Sequence, residues 1–219
     1  MNPQALAADP YNIVITGVGG QGNVLASRML GQIMTRQGYW ATIGETFGAS
    51  QRGGSVMSHL RISRQGAWSP QIPRGAAHFV LSLEPSETFR VLAVYGNPAT
   101  RVIWNTRPIQ PVSVIAGEAV YPSRQAIAEG LNQISARHWP IDATALAQKL
   151  GNPILGNIMM LGALAAVAGL PISREDFAEV LGQMMPASKI AINLEAFDLG
   201  QREITQTRAM DGPPNCEPA

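Results

Sequence analysis

Cysteine is almost missing from this chain of 219 residues: there is one, Cys216, close to the C-terminal end. A disulfide within the chain is therefore excluded, and so is a set of thiolates able to hold an iron–sulfur cluster. The histidines His59, His78 and His138 are far apart and lack metal-ligand spacing, so they read as ordinary surface or half-buried residues. Charge is also scarce, at 14% of residues with a formal net charge of +1, against roughly 25% in an average domain. No Lys/Arg run marks a basic patch, which leaves no case for nucleic acid. A chain so poor in charge either hides part of its surface in a partner or carries a large, well-packed core. Met1 to Pro10 lacks a basic start and an apolar run, so no secretory signal is visible. The longest apolar stretch, Ile154 to Leu170, is interrupted by Gly156, Asn157 and Gly162. It is shorter than the ~20 residues a membrane span needs and reads as a buried helix of a cytoplasmic protein. No G-x-S-x-G elbow and no lysine closing a phosphate loop is present, which argues against nucleophilic catalysis and ATP hydrolysis.

What the chain does have is concentrated between Tyr11 and Ser63. The run Ile13-Val14-Ile15 is continuously apolar, as expected of a parallel strand covered on both faces. Gly17-Val18-Gly19-Gly20-Gln21-Gly22 follows, with the Gly-x-Gly-x-x-Gly spacing of a dinucleotide loop. That spacing provides a tight turn, a backbone that a ligand can approach and a closely packed helix, whose N-terminus turns free N–H groups toward the loop. Leu25, Met29 and Ile33, with Ala26, Leu30 and Met34 beside them, form the stripe of a helix docked on a sheet, and Gly38 is placed to end it. A second strand, Trp40 to Gly44, leads to a second glycine-rich loop, Glu45 to Gly54, which contains Ser50, Gln51, Arg52 and Gly53. A third strand spans Ser55 to Ser63, and its alternation suggests one less buried face. The two loops are expected together at the carboxyl end of the sheet.

Further on, Arg64 to Arg74 reads as a loop or hairpin tip. His78 to Leu83 and Arg101 to Thr106 read as strands, with a helix started by Glu84-Pro85-Ser86 between them, Pro85 at a tolerated first-turn position. Arg107 to Pro122 holds short β-like pieces at Val112–Ile115 and Ala119–Tyr121. Ser123 caps a helix to about Ser135, Trp139 to Ile141 is extended, and Asp142 or Thr144 starts another helix. Then come the apolar helix, a helix opened by Ser173-Arg174-Glu175-Asp176, and a last helix from Ala187 to about Ile204. The expected fold is α/β: a Rossmann-like, open, mostly parallel sheet with helices on both faces and a helical C-terminal part. It forms a single domain over residues 11–204, preceded by a loose leader (1–10) and followed by a flexible tail (205–219).

Each candidate site residue has two readings. Gly17, Gly19, Gly20, Gln21 and Gly22 can cradle a phosphate or carboxylate, or they can shape a turn that packs on another chain. Arg52 can clamp an anion bidentately, or it can bond loop carbonyls. Gln51 and Gln21 offer weaker amide donors. Glu45 lies ~20 residues past the first loop, where an acid can accept from a ribose hydroxyl, or it can pair with Arg52 or with solvent. Asn157, within an apolar helix, must find hydrogen-bond partners if buried, which suits holding a loop or a partner. Ser50 and Ser55 have no evident base.

The segments Gly17–Gly22 and Ser50-Gln51-Arg52-Gly53-Gly54-Ser55-Val56, with Asn157-Ile158-Met159-Met160-Leu161-Gly162, resemble the gamma-type subunit of the 2-oxoacid:ferredoxin oxidoreductases, nearest to the indolepyruvate branch. The resemblance runs from about Tyr11 to Ile204. It implies a subunit of a hetero-oligomer whose large partner carries thiamine diphosphate, Mg²⁺ and 4Fe-4S clusters and passes electrons to ferredoxin. The implied reaction is oxidative decarboxylation of a 2-oxoacid, indolepyruvate or another arylpyruvate, to an acyl-coenzyme A. No G-D-G…N-N thiamine segment is found here, so the resemblance implies that this chain holds no cofactor and packs its glycine loops at an interface, with coenzyme A the candidate anion. The alternatives are a stand-alone NAD(P)-binding dehydrogenase, for which no Tyr-x-x-x-Lys or placed histidine is visible, and a pure scaffold subunit.

Overall fold

The computed structural model describes residues 3–48 and 54–210. A six-stranded sheet runs in the order β2-β3-β1-β4-β5-β6, made of β1 (Tyr11–Val18), β2 (Trp40–Phe47), β3 (Ser55–Ser63), β4 (Phe79–Ser82), β5 (Arg101–Asn105) and β6 (Arg137–Ile141). β1, β4, β5 and β6 are mutually parallel, with Ile15 opposite Leu81 and Ile103 opposite Trp139. Every residue of β1 is buried, which accounts for its unbroken apolar run. The edge strand β6 tolerates Pro140 because an edge position does not need that N–H for a further ladder.

The left half of the sheet departs from the doubly wound pattern. β3 is inserted between β1 and β2 and is antiparallel to both, with Val18 opposite Ser55 and Phe47 opposite Val56. β3 is buried along nearly its whole length, although its alternation suggested a wetter face. The polar side chains of that face are covered by protein. Arg61 donates to Asn12 and to the Ser69 and Gln71 carbonyls and lies over the Trp68 ring. His59 Nδ1 accepts from the Ile72 N–H. The segment 64–74 is thus a flap folded back on β3, held by charge-assisted bonds.

The helices form two layers. On one face lie α1 (Asn23–Arg36), α5 (Ala143–Lys149), α6 (Gly156–Val167), α7 (Arg174–Met184) and α8 (Ala187–Met210). Their core includes Ile13, Ile15, Met29, Ile33, Leu60, Phe79, Leu161 and Phe197. On the other face, α2 (Pro85–Tyr95) and α4 (Arg124–Ile134) cover Val14, Val80, Val102 and Trp104. Burying each such large aliphatic or aromatic side chain stabilises the fold by roughly 1.5–3 kcal/mol. The expected caps form: Ser123 accepts from Ala126, Asp142 from Ala145, and Ser173 with Asp176 makes a reciprocal capping box. α6 and α8 touch backbone to backbone. A methyl group on Gly162 would sit 2.1 Å from the Phe197 carbonyl oxygen, and one on Gly200 would sit 1.9 Å from that of Met159.

Three expectations are corrected. Val112–Ile115 is a short helix, α3, not a strand, and Ala119–Tyr121 joins no ladder. Pro111 opens that turn at φ −62° and Gly117 leaves it at φ +76°, while the ladder edge of β5 is already taken by β6. In the described part of the expected leader, Leu6 and Ala8 pack on the core and the Tyr39 hydroxyl donates to the Gln4 carbonyl at 2.8 Å. α8 continues past Ile204 to Met210.

Candidate functional site at the glycine rim

The turn after β1 is shaped by one glutamine. Gln21 Oε1 accepts from the Val18 N–H and its Nε2 donates to the Leu83 carbonyl, both at 2.8 Å. The amide thereby ties the end of β1 to the end of β4. A methyl group at Gly17 would lie 2.5 Å from Gln21 Oε1 and 2.8 Å from Asn23 Oδ1, so this glycine leaves room for the staple. Gly22 caps α1 at φ +84°, a left-handed conformation that costs other residues about 1–2 kcal/mol. A methyl there would fall 2.0 Å from Asn157 Nδ2, which donates to the Gly22 carbonyl at 3.3 Å. Asn157, only 2% exposed on α6, therefore holds the first glycine loop from behind.

The two glycine loops meet. The Gly19 N–H donates to the Gly54 carbonyl at 2.8 Å, and Gly48 donates to Ser55 at 2.7 Å. Gly54 thus joins Gly17, Gly19, Gly20, Gln21 and Gly22 in one rim at the carboxyl end of β1. Ser50, Gln51, Arg52 and Gly53 lie outside the described residues. Glu45 is set apart from this rim. It sits on β2, two strands from β1 and hence about 10 Å away laterally, and its Oε1 pairs with Arg28 Nε on α1 at 3.2 Å. Its partner is thus Arg28, which the sequence reading did not name.

Two cavities flank the rim. The larger, about 800 Å³, is lined by Gly19, Gly20 and Gly22 and by the apolar side chains of Val24, Leu25, Phe47, Val56, Ile154 and Met184. Among the described residues its one charged lining residue is Arg28, already paired with Glu45. Phe47 and Ile154 stand 60% and 42% exposed at its edge. The smaller, about 230 Å³, opens on the other side of Gly20, against Gln21, Leu83, Asn105, Arg107, Thr144 and Asn157.

A buried carboxylate that sequence reasoning took only for a helix start organises the far wall. Glu84, 0% exposed, caps α2 through the Glu87 N–H and accepts from Ser86 Oγ at 2.6 Å. Its other oxygen accepts from the Tyr121 hydroxyl at 2.5 Å and the Ile109 N–H at 3.3 Å. Both ends of the excursion between β5 and α4 are thus pinned to one side chain. Burial, reinforced by the bond to Glu84, raises the Tyr121 hydroxyl well above the ordinary phenol range. Between those pins Val112, Ile115 and Val120 stand 80%, 71% and 94% exposed. The signal for this anchorage, Glu-Pro-Ser before an apolar stripe, is local, but its partners Ile109 and Tyr121 are not.

Among the described residues no group of three or more His, Cys, Asp or Glu is placed to hold a metal ion, and no helix is long and apolar enough to cross a membrane.

Residues 12–203 match the family described as pyruvate ferredoxin/flavodoxin oxidoreductase. The chain is 39% identical over 191 residues to the indolepyruvate oxidoreductase subunit IorB of Pyrococcus horikoshii, covering 87% of this chain and 94% of that one. Its fold is shared with a keto/oxoacid ferredoxin oxidoreductase gamma subunit from Geobacter sulfurreducens, at TM-score 0.64 and 21% identity over 90% of this chain and 99% of that one. It is shared also with a 2-oxoglutarate:ferredoxin oxidoreductase from Magnetococcus marinus solved with 2-oxoglutarate, coenzyme A and succinyl-CoA, at TM-score 0.69 and 20% identity. There the match covers 91% of this chain and 32% of that one.

Proposed function

Since this chain belongs to the pyruvate ferredoxin/flavodoxin oxidoreductase family, we propose that it is the small, gamma-type subunit of an indolepyruvate or arylpyruvate:ferredoxin oxidoreductase. Its homologues are subunits of oxidoreductases, and it works as one part of a multi-subunit complex. Thiamine diphosphate with Mg²⁺ and iron–sulfur clusters would supply decarboxylation and electron transfer in such an assembly. The residues here do not fit those groups: one cysteine cannot supply the set of thiolates that holds a cluster, and the sequence has no G-D-G…N-N segment for thiamine diphosphate and Mg²⁺. We therefore assign them to a large partner chain, and ferredoxin to the complex as a whole.

The observation that carries this role is the Gly19–Gly54 hydrogen bond. It makes a single backbone-lined rim from two loops far apart in sequence, with an apolar groove and exposed Phe47 and Ile154 beside it. Such a rim suits packing against another subunit, since exposed apolar patches mark interaction surfaces. In this reading Gly17, Gly19, Gly20, Gln21, Gly22, Gly54 and Asn157 shape the interface. Ser50, Gln51, Arg52 and Gly53 line the path by which coenzyme A reaches the partner's centre, Arg52 clamping an anion. Glu45 serves the rim only indirectly, through Arg28. The dehydrogenase alternative loses its ribose acid, because β3 stands between Glu45 and the loop.

Affinity purification of the tagged chain from its own cell should recover a large thiamine-dependent, iron–sulfur polypeptide. The complex should reduce a low-potential acceptor with indolepyruvate and coenzyme A, with kcat/KM higher than for pyruvate or 2-oxoglutarate. Arg52→Ala should lower turnover or raise the coenzyme A KM with assembly intact. Oxidation of any 2-oxoacid by the chain alone, or micromolar NADH binding, would overturn this reading. Unchanged turnover in Arg52→Ala would reduce the subunit to a scaffold.

A further inference from the structure

The two glycine loops are held in different ways. The first is tied from inside the fold, by Gln21 to the Leu83 carbonyl and by Asn157 to the Gly22 carbonyl. The second leaves β2 after Phe47 and returns at Ser55, and a bond from the Gly48 N–H to the Ser55 carbonyl closes its base. Its inner end is Gly54, whose carbonyl receives the Gly19 N–H. Ser55 follows Gly54 directly, so a displacement at Ser55 moves that carbonyl away from Gly19. The Ser55 side chain has a partner that its place in the sequence did not announce: its Oγ donates to Glu87 Oε2 at 2.7 Å, across 32 residues.

Glu87 lies in the first turn of α2, which packs across β1 and β4 on the sheet face opposite α1. Side chains three residues apart on a helix are neighbours, so Arg90 stands beside Glu87. Its Nε donates to Glu87 Oε2 at 2.9 Å, and its Nη2 donates to the same carboxylate and to Ser55 Oγ. The three side chains close a ring. A fully exposed pair of this spacing contributes little, but here the Glu87 side chain is only 13% exposed and Ser55 gives the pair a partner on another element. Such charge-assisted bonds are roughly twice as strong as neutral ones. The hydroxyl is engaged as donor and as acceptor, and Arg90 occupies the carboxylate, so Ser55 is a tether rather than an activated nucleophile.

We propose that Glu87 and Arg90 are positioning residues: acting through Ser55, they hold the second glycine loop in register with the first and so set how tightly the rim takes coenzyme A. The effect on coenzyme A rests on the function proposed above, whereas the positioning itself is read on the uncomplexed full-length chain.

Amide exchange of that chain, isotope-labelled and followed by NMR, tests the positioning. The rate at Gly19 is divided by that at Val14 in the middle of β1, which reports global opening. In Glu87→Ala this ratio should rise about fivefold or more, and likewise in Ser55→Ala, whose hydroxyl is the link. The double variant should exceed neither single one by more than about twofold, since Glu87 acts through Ser55; a carboxylate that merely suited the helix N-terminus would act independently of Ser55. Glu87→Gln keeps an acceptor for the hydroxyl and should stay within about twofold of wild type. In the purified complex Glu87→Ala should raise the coenzyme A KM about threefold or more with kcat little changed. An unchanged Gly19 ratio, or independent effects of Glu87→Ala and Ser55→Ala, would overturn the proposal. So would an unchanged KM in Glu87→Ala beside an impaired Arg52→Ala complex. Unaltered kinetics in both variants would instead overturn the coenzyme A reading of the rim, and the exchange ratio would then decide the positioning alone.

Discussion

Gly22→Ala offers a direct test of how the first glycine loop is held. The perturbation has two parts. The backbone stays at φ +84°, which costs an L side chain about 1–2 kcal/mol. The new methyl must also find space where Asn157 Nδ2 would be 2.0 Å away and its Cγ 3.1 Å, both short of the 3.4 Å of ordinary contact. Asn157 cannot swing out, because α6 is buried almost all round and Asn157 is 2% exposed, so α1 or α6 must shift. Overpacking of this kind costs about 1–3 kcal/mol, partly offset by the ~0.4–1 kcal/mol gained when alanine restricts the unfolded chain. The net expectation is a loss of about 2–4 kcal/mol. Asn157→Ala alone should cost about 1 kcal/mol, because the Gly22 carbonyl keeps its bond from the Ala26 N–H at 3.0 Å. In the double variant the clash is gone and only the backbone strain remains. The double loss should therefore fall short of the sum of the single losses by about 1–3 kcal/mol. Urea unfolding of the four proteins, followed by circular dichroism, measures this coupling. Additivity within about 0.5 kcal/mol would refute the contact, and with it the claim that Asn157 supports the loop.

Two further outcomes follow from the helix packing and the buried histidines. Gly200→Ala should destabilise the chain by about 2 kcal/mol or more despite alanine's better helix propensity, because the methyl meets the Met159 carbonyl of a facing backbone; an unchanged Tm would show that α6 and α8 are not in backbone contact. Burial, helped by Arg61 and Arg101 respectively, holds His59 and His78 below the usual imidazole range. Below pH ~6.5 the unfolded chain therefore takes up these protons before the folded one does, so stability is constant above that pH, declines as pH falls through it, and levels off below the lowered native values. Chemical denaturation between pH ~7.5 and ~5.5 should show this slope, and a His59→Asn, His78→Asn double variant should flatten it; an identical slope would refute the assignment.

Much of the architecture was legible in the chain because it is decided locally. The unbroken Ile13-Val14-Ile15 run announces a strand buried on both faces. The Gly17–Gly22 spacing announces a strand–helix turn, and Ser123, Asp142 and Ser173 announce helix starts that their own side chains then make. What stayed hidden depends on residues far apart in sequence. Hydrophobic pattern says that Ser55–Ser63 is a strand but not which neighbours it takes, so the insertion of β3 beside β1 was not foreseen. That insertion carried Glu45 away from the glycine loop and into the reach of Arg28. The wet face expected for β3 was covered by a flap that supplies carbonyls to Arg61. Glu84 looked like a helix start and proved to hold both Ile109 and Tyr121. Asn157 reaches Gly22 across 135 residues, and only the α6 packing brings them together. Local backbone preference and capping are written residue by residue, whereas the strand order and the closing of two loops into one rim depend on which distant surfaces bury each other best, and only the folded chain decides that.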